Sequence, residues 1–303
     1  MTSPSPTEPE ILAFQEKVDA FYPPDAVSAP VARQRQWYDA LCRAFDVERP
    51  EGLSVADGVP AGGVAVRRYV PGAIRAPARV LYLHGGGFVV GSLDSHDGVC
   101  AELAAATGLE VVACDYRLAP EHKAPAAFKD AATVFRSLLE EGRPVVVAGD
   151  SAGGNLAAGL ALLARDEGLR GVVGQVLIYP GLGGDLARGS YVEMAEAPGL
   201  TTADVAYYRD VYAAQADDIY AYPLRARDLS GLPPAFVCTA HFDPLRDDAR
   251  LYAARLAEAG IGVTFREDPQ MVHGWLRARH TSPGARAGFA AICQALARLA
   301  SPA

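Results

Sequence analysis

The 303-residue sequence predicts an α/β fold, in which a mostly parallel β-sheet is covered on both faces by helices. Three observations carry this. From about residue 60, strand-like runs rich in Val, Ile and Leu take turns with helical segments. The runs are continuous rather than alternating in polarity, as expected of strands buried on both sides. Half of the residues are hydrophobic and 21% are charged, enough apolar material for one large α/β domain or two smaller ones.

The elements follow in order. "VAVRRYV" (64–70) alternates and reads as a strand, and "ARVLYL" (78–83) as a buried strand that runs into three glycines. "GVCAELAAAT" (98–107) is helical and "EVVACDY" (110–116) a strand. "FKDAATVFRSLLEEG" (128–142) has helical spacing and ends on a glycine. Then come the strand "PVVVAGD" (144–150), the helix "GNLAAGLALLARDEG" (154–168) and the strand "GQVLIYP" (174–180). "PAFVCTA" (234–240) and "GVTFRED" (262–268) read as strands, "RDDARLYAARLAEAG" (246–260) and "ARAGFAAICQALARLA" (285–300) as helices. Two segments break the rhythm. Residues 1–50, with "FYPPDA" and "RQRQWYDALCRAF", are helical and aromatic. The stretch from about 183 to 225 interrupts the strand–helix alternation. The expected organisation is a set of N-terminal cap helices at 1–50 and a main unit at 51–303 carrying a cap insertion at about 183–225. Such helices would lie over the carboxyl ends of the strands, where open α/β sheets bind ligands.

The totals exclude several classes. A net charge of −8 argues against nucleic acid or an anionic membrane as partner. The five cysteines (Cys42, Cys100, Cys114, Cys238 and Cys293) are scattered and form no CxxC pair, so buried reduced thiols are expected rather than a metal site or a disulfide framework. "MTSPSPTEPEILAFQ" has neither a basic nor an apolar signal-peptide region, and no stretch of about 18 apolar residues occurs. The expected location is the cytoplasm.

"VVVAGDSAGGNLAA" (145–158) contains G-x-S-x-G as Gly149-Asp150-Ser151-Ala152-Gly153, between a buried strand and an alanine-rich helix. That is the strand–turn–helix setting of a nucleophile elbow, with Ser151 at its apex and helix N-terminal amides beside it. The rival reading is a glycine-rich turn with a serine N-cap. A serine hydroxyl needs a base, and the base needs an orienting acid, in the chain order Ser, acid, His. Of the histidines after Ser151, His273 follows the last strand. His241 comes one strand too early, and His280 reads as a solvated helix-end residue. Asp243 lies nearest the end of the preceding strand. Asp247 and Asp248 suit the first turn of the next helix.

"LHGGGFVVGS" (83–92) brings glycines to a strand that has little use for them. Without side chains, backbone N–H groups can approach a developing oxyanion. The expected oxyanion donors are the N–H groups of Gly85, Gly86 and Ala152. A nucleotide-phosphate loop fits poorly, since neither G-x-G-x-x-G nor a Walker lysine is present. His84 is expected to brace the loop, as is Asp150. Phe88, with Tyr191 and Tyr207, is a candidate for shaping the substrate pocket.

Taken in register, "HGGGFVVGSLDSHD", "DYRLAPEHKAPAAFKD", "GDSAGGN", "DPLRDD" and "VHGW" resemble the hormone-sensitive-lipase-like esterases, the bacterial family IV carboxylesterases of the α/β-hydrolase fold. The match covers about residues 60–300. The resemblance implies an eight-stranded, mostly parallel sheet, a helical cap, and hydrolysis of short- to medium-chain or aromatic acyl esters without a cofactor or metal. It places the nucleophile on Ser151, the acid on Asp243 and the base on His273. It implies a structural role for "DYRLAPE", with Asp115, Arg117 and Glu121 as ion-pair partners, and makes a homodimer an expectation. A small-molecule ester is the expected partner. Two other readings stay open: a non-catalytic receptor on the same fold, against which His273 speaks, and an amidase, lactonase or deacetylase using the same triad.

Overall fold

A computed structural model describes residues 5–23, 26–59 and 62–301. Residues 1–4 and Pro24–Asp25 of "FYPPDA" lie outside that description. Eight strands form one sheet: β1 (Leu53–Gly58), β2 (Val66–Pro71), β3 (Arg79–Leu83), β4 (Glu110–Cys114), β5 (Val145–Asp150), β6 (Val172–Ile178), β7 (Ala235–Phe242) and β8 (Val263–Val272). Their order is β1-β2-β4-β3-β5-β6-β7-β8. β2 runs antiparallel to both β1 and β4, and all other pairs are parallel.

The continuous apolar runs have a direct cause. Successive residues of a strand point to opposite faces, so a sheet packed on both sides needs apolar residues at every position. Leu81 and Leu83 of β3 join one core, with residues of α4 (Ala126–Glu140), α5 (Ala152–Asp166) and α8 (Arg246–Glu258). Val80 and Tyr82 join the other, with α3 (Asp97–Thr107) and α9 (Pro283–Ala300). The last helix starts where its sequence says it should. The Ser282 hydroxyl accepts from the Ala285 N–H at 3.0 Å and Pro283 occupies the first turn.

Two strands differ from the sequence reading. β1 escaped it because the segment offers only Leu53 and Val55 as apolar residues, and as an edge strand it is mostly exposed. β8 runs four residues beyond "GVTFRED", through Pro269, to Val272. β8 is an edge strand, where a missing N–H need not break a ladder. This extension delivers His273 directly from the strand end.

The N-terminal segment forms α1 (Pro9–Asp19) and α2 (Val31–Ala44). The connection from β6 to β7 contains α6 (Ser190–Glu193) and α7 (Thr202–Tyr212). Thr201 and Asp204 close α7 with a reciprocal capping box. Asp247 and Asp248 sit in the first turn of α8 as expected, but their carboxylates reach further than the helix dipole. Asp248 accepts from the Leu182 N–H at 2.6 Å and the Tyr191 hydroxyl at 3.0 Å, and Asp247 from the Ser190 N–H at 2.9 Å. They anchor the β6–β7 connection to the sheet.

α5 approaches β3 so closely that a Cβ on Gly153 would overlap the carbonyl oxygen of Leu83. Gly153→Ala is therefore expected to cost about 2–3 kcal/mol or more of stability, read as a lowered midpoint in denaturant unfolding. An unchanged midpoint would show that the helix can move away from the sheet.

Candidate active site

Ser151 ends β5 and begins α5 with φ 54° and ψ −115°, a left-handed conformation that a non-glycine residue rarely holds. Its N–H donates to the Ile178 carbonyl at 2.8 Å. The hydroxyl lies 2.9 Å from His273 Nε2, and His273 Nδ1 lies 2.7 Å from Asp243 Oδ2. The second Asp243 oxygen accepts from the Leu245 N–H at 2.8 Å, and the residue is fully buried. Three elements thus bring together the three residues singled out by chain order: the β5–α5 turn, the end of β7 and the end of β8. The other histidines go elsewhere. His241 pairs with Glu267 at 2.7 Å on the half-exposed side of β7, and His280 pairs with Glu102 at 2.9 Å.

The glycine loop corrects one expectation. The Gly85 N–H does not face the cavity; it donates to Asp150 Oδ1 at 3.1 Å. The reason is the buried carboxylate beneath it, which also accepts from the Tyr82 hydroxyl at 2.8 Å and lies 3.3 Å from His96 Nε2. Burial alone would raise the Asp150 pKa. The neighbouring His96, the Arg277 charge and the Tyr82 hydrogen bond outweigh burial and hold it below the ordinary carboxylate range. The loop residues that border the cavity are Gly86 and Gly87, and Ala152 borders it from the other side. Among the described residues, the Gly86 and Gly87 N–H groups have no acceptor within the chain. Gly86 takes φ 123°, and a Cβ there would overlap the Val90 carbonyl.

His84 does brace the loop. Its Nδ1 lies 2.8 Å from the Gly85 carbonyl, its ring stacks on Tyr116, and the Tyr116 hydroxyl donates to the His84 carbonyl at 2.7 Å. Burial, assisted by neighbouring His96, lowers its pKa to about 3. In "DYRLAPE", Arg117 pairs bidentately with Asp130 and Glu121 with Arg35. Asp115 makes no ion pair among the described residues; burial raises its pKa.

The cavity above Ser151 holds about 380 Å³. Phe14 and Val18 of α1, Tyr38 and Leu41 of α2, and Val205, Tyr208 and Tyr212 of α7 line it. Phe88 lines it too, stacked on Tyr212 with ring centroids 3.9 Å apart. Tyr191 and Tyr207 do not. Their hydroxyls are bound to Asp248 and Gln34, which turns both rings away. Sequence reasoning missed Tyr208, Tyr212 and Arg277. It also missed Asn155, one helical turn after Ser151, whose amide donates to the Gly181 and Ala221 carbonyls at 2.7 and 2.8 Å.

A sheet of this order, with a strained serine, a histidine and a carboxylate meeting at the carboxyl ends of its strands, defines the α/β-hydrolase class. A family model described as alpha/beta hydrolase fold matches residues 80–277. Esterase LipI of Mycobacterium tuberculosis is 43% identical over 232 positions, covering 72% of each chain. Carboxylesterase NlhH of the same species is 37% identical over 322 aligned positions, covering 98% of this chain and 99% of that protein. The solved structure of EstE1, a thermostable carboxylesterase cloned from a metagenomic library, superposes with a TM-score of 0.84. It is 34% identical and covers 91% of this chain and 99% of its own. The chain belongs to the α/β-hydrolase family, in its hormone-sensitive-lipase-like branch.

Buried, neutral His84 sets a pH dependence. Its folded-state pKa lies below its unfolded value of about 6.5, so the unfolded chain binds a proton that the folded chain refuses. Stability is full above pH 6.5 and is lost as pH falls toward 3. His84 is expected to contribute up to about 1.4 kcal/mol per pH unit of this slope. Denaturant unfolding at pH 7 and 4.5 checks it: His84→Gln should flatten the slope relative to the wild type, and an equal slope would contradict the assignment.

Proposed function

We propose that this protein is a serine carboxylesterase that hydrolyses short- to medium-chain or aromatic acyl esters through an acyl-enzyme. One observation carries the reading: the unbroken path from the Ser151 hydroxyl through His273 to buried Asp243, at 2.9 and 2.7 Å. Ser151 Oγ attacks the ester carbonyl and His273 Nε2 takes its proton. Asp243 accepts from Nδ1–H, holds the tautomer and stabilises the imidazolium. The carbonyl oxygen, now negative, is bound by the N–H groups of Gly86, Gly87 and Ala152. This set takes Gly87 in place of Gly85, whose N–H is already engaged. The alcohol leaves with the proton from His273. Water then attacks the acyl-enzyme by the same route and regenerates Ser151.

The cap is part of the proposal. Residues 1–50 and the β6–β7 connection supply α1, α2 and α7 to the cavity wall. Their aromatic and aliphatic side chains, Phe88 among their contacts, make an apolar pocket for the acyl or alcohol group. Among the described residues no helix is long and apolar enough to cross a membrane. The five free cysteines suit a reducing compartment, which supports the cytoplasm as location. The homodimer is supported by the edge strand β8, where Phe265 is 39% exposed.

The test is turnover of a p-nitrophenyl series from acetate to palmitate. Short acyl chains should react fastest, with rates falling once the chain outgrows the cavity. Ser151→Ala and His273→Ala should each lower kcat by about 10⁴-fold or more and to a similar degree, because the triad acts as a unit. Asp243→Asn should cost about 10³–10⁴-fold. Retained activity in Ser151→Ala would sink the proposal.

A further inference from the structure

One wall of the cavity is not apolar. Arg277 lies one helical turn beyond His273, in the short helix Trp275–Ala278, and borders the cavity. Its Nη2 donates to the Tyr38 hydroxyl at 2.8 Å and to Cys42 Sγ at 3.3 Å. Its Nε is buried without a partner, and no carboxylate of the described residues lies within ion-pair distance. Burial pushes both the Tyr38 phenol and the Cys42 thiol up, so the two groups that touch the guanidinium are neutral. A second unpartnered polar group lines the same cavity. The Tyr179 hydroxyl is fully buried, has no partner and belongs to the same cavity wall, with its ring edge-on to His273 at 4.8 Å.

A guanidinium keeps its charge under all ordinary conditions, and burying one without a counter-charge is unfavourable. No carboxylate on the cavity wall touches the guanidinium, and ionised Asp150 acts on it only at a distance. Asp19 is exposed and accepts from Gln15, Asp204 closes the α7 capping box, and Asp150 is engaged with Tyr82, Gly85 and His96. What the guanidinium lacks is an anion in direct contact with its free Nε, and a substrate can bring one.

We propose that Arg277, with the Tyr38 and Tyr179 hydroxyls, forms an anion subsite in the catalytic cavity that selects esters carrying a carboxylate. The proposal rests on the esterase reading above and narrows its substrate class. Two kinds of ester present the same chemistry: half-esters of dicarboxylic acids carry the charge on the acyl side, and acyloxybenzoates on the alcohol side. A charge-assisted hydrogen bond to the guanidinium is worth about 10- to 100-fold in affinity.

The experiment compares matched pairs: monomethyl adipate against methyl hexanoate, and 4-acetoxybenzoate against 4-tolyl acetate. The quantity read is the ratio of kcat/KM for the anionic ester to that for its neutral partner. In the wild type, at least one pair should favour the anionic ester, and the pair that does so places the charge on the acyl or the alcohol side. Arg277→Met should collapse that ratio by about 30-fold, Tyr179→Phe by a smaller factor, and Arg277→Lys should recover most of it. A purely structural arginine would move both members of a pair together. An unchanged ratio in Arg277→Met, or wild-type discrimination against both anionic esters, would overturn the subsite. If the wild type hydrolyses no ester, it is the esterase reading that fails, and calorimetric titration with adipate then decides the subsite. Binding that Arg277→Met weakens at least tenfold supports it; no binding, or equal binding to both proteins, overturns it.

Discussion

The contact between Gly153 and the end of β3 is the constraint on which the site depends. With no side chain at that position, the first turn of α5 lies against the Leu83 and His84 carbonyls. The chain can then leave β5 and enter α5 within a single residue, and Ser151 absorbs the turn in a backbone conformation that costs about 1–3 kcal/mol. The compensation is spread through buried surroundings, since α5 is buried from Ala152 to Ala164 and apolar there apart from Asn155. The same contact holds the helix N-terminus beside the glycine loop, so that amides from two separate segments face one small volume.

Asp150 joins these two segments electrostatically. It precedes the strained serine and accepts from the loop at Gly85. The glycine run thus divides its labour. The first glycine fixes the loop to the sheet, and the next two are left to border the cavity. A buried carboxylate with several donors is costly to disturb, which suits a group that must hold a loop in register.

Much of this was legible in the sequence because the chemistry imposes order and spacing. Ser151, Asp243 and His273 follow the ends of β5, β7 and β8, and most strand ends are readable from where apolar runs stop. The engagement of Gly85 was not legible, because it depends on a carboxylate 65 residues away in the chain. Nor was β1, an edge strand with too few apolar residues to leave a pattern. The wall-forming aromatics show the same limit. Tyr207 and Tyr208 are neighbours on α7, and helix rotation alone sends one to Gln34 and the other over Gly87. Arg277 hides among the arginines of "WLRARH", and only the want of a carboxylate partner sets it apart from Arg279, which pairs with Glu102.

His273, the proposed base, hangs from the sheet's outermost strand. β8 has a neighbour on one side alone, and its pairing with β7 shifts register between Ala240 and Phe242, just before Asp243. The serine, by contrast, sits at the centre of the sheet, between β3 and β6. Fraying of an outer strand needs far less energy than melting a central one. On the proposed mechanism, warming is expected to uncouple His273 from Ser151 while the core is still intact, so that loss of activity would mark the loosening of one border of the molecule rather than its collapse.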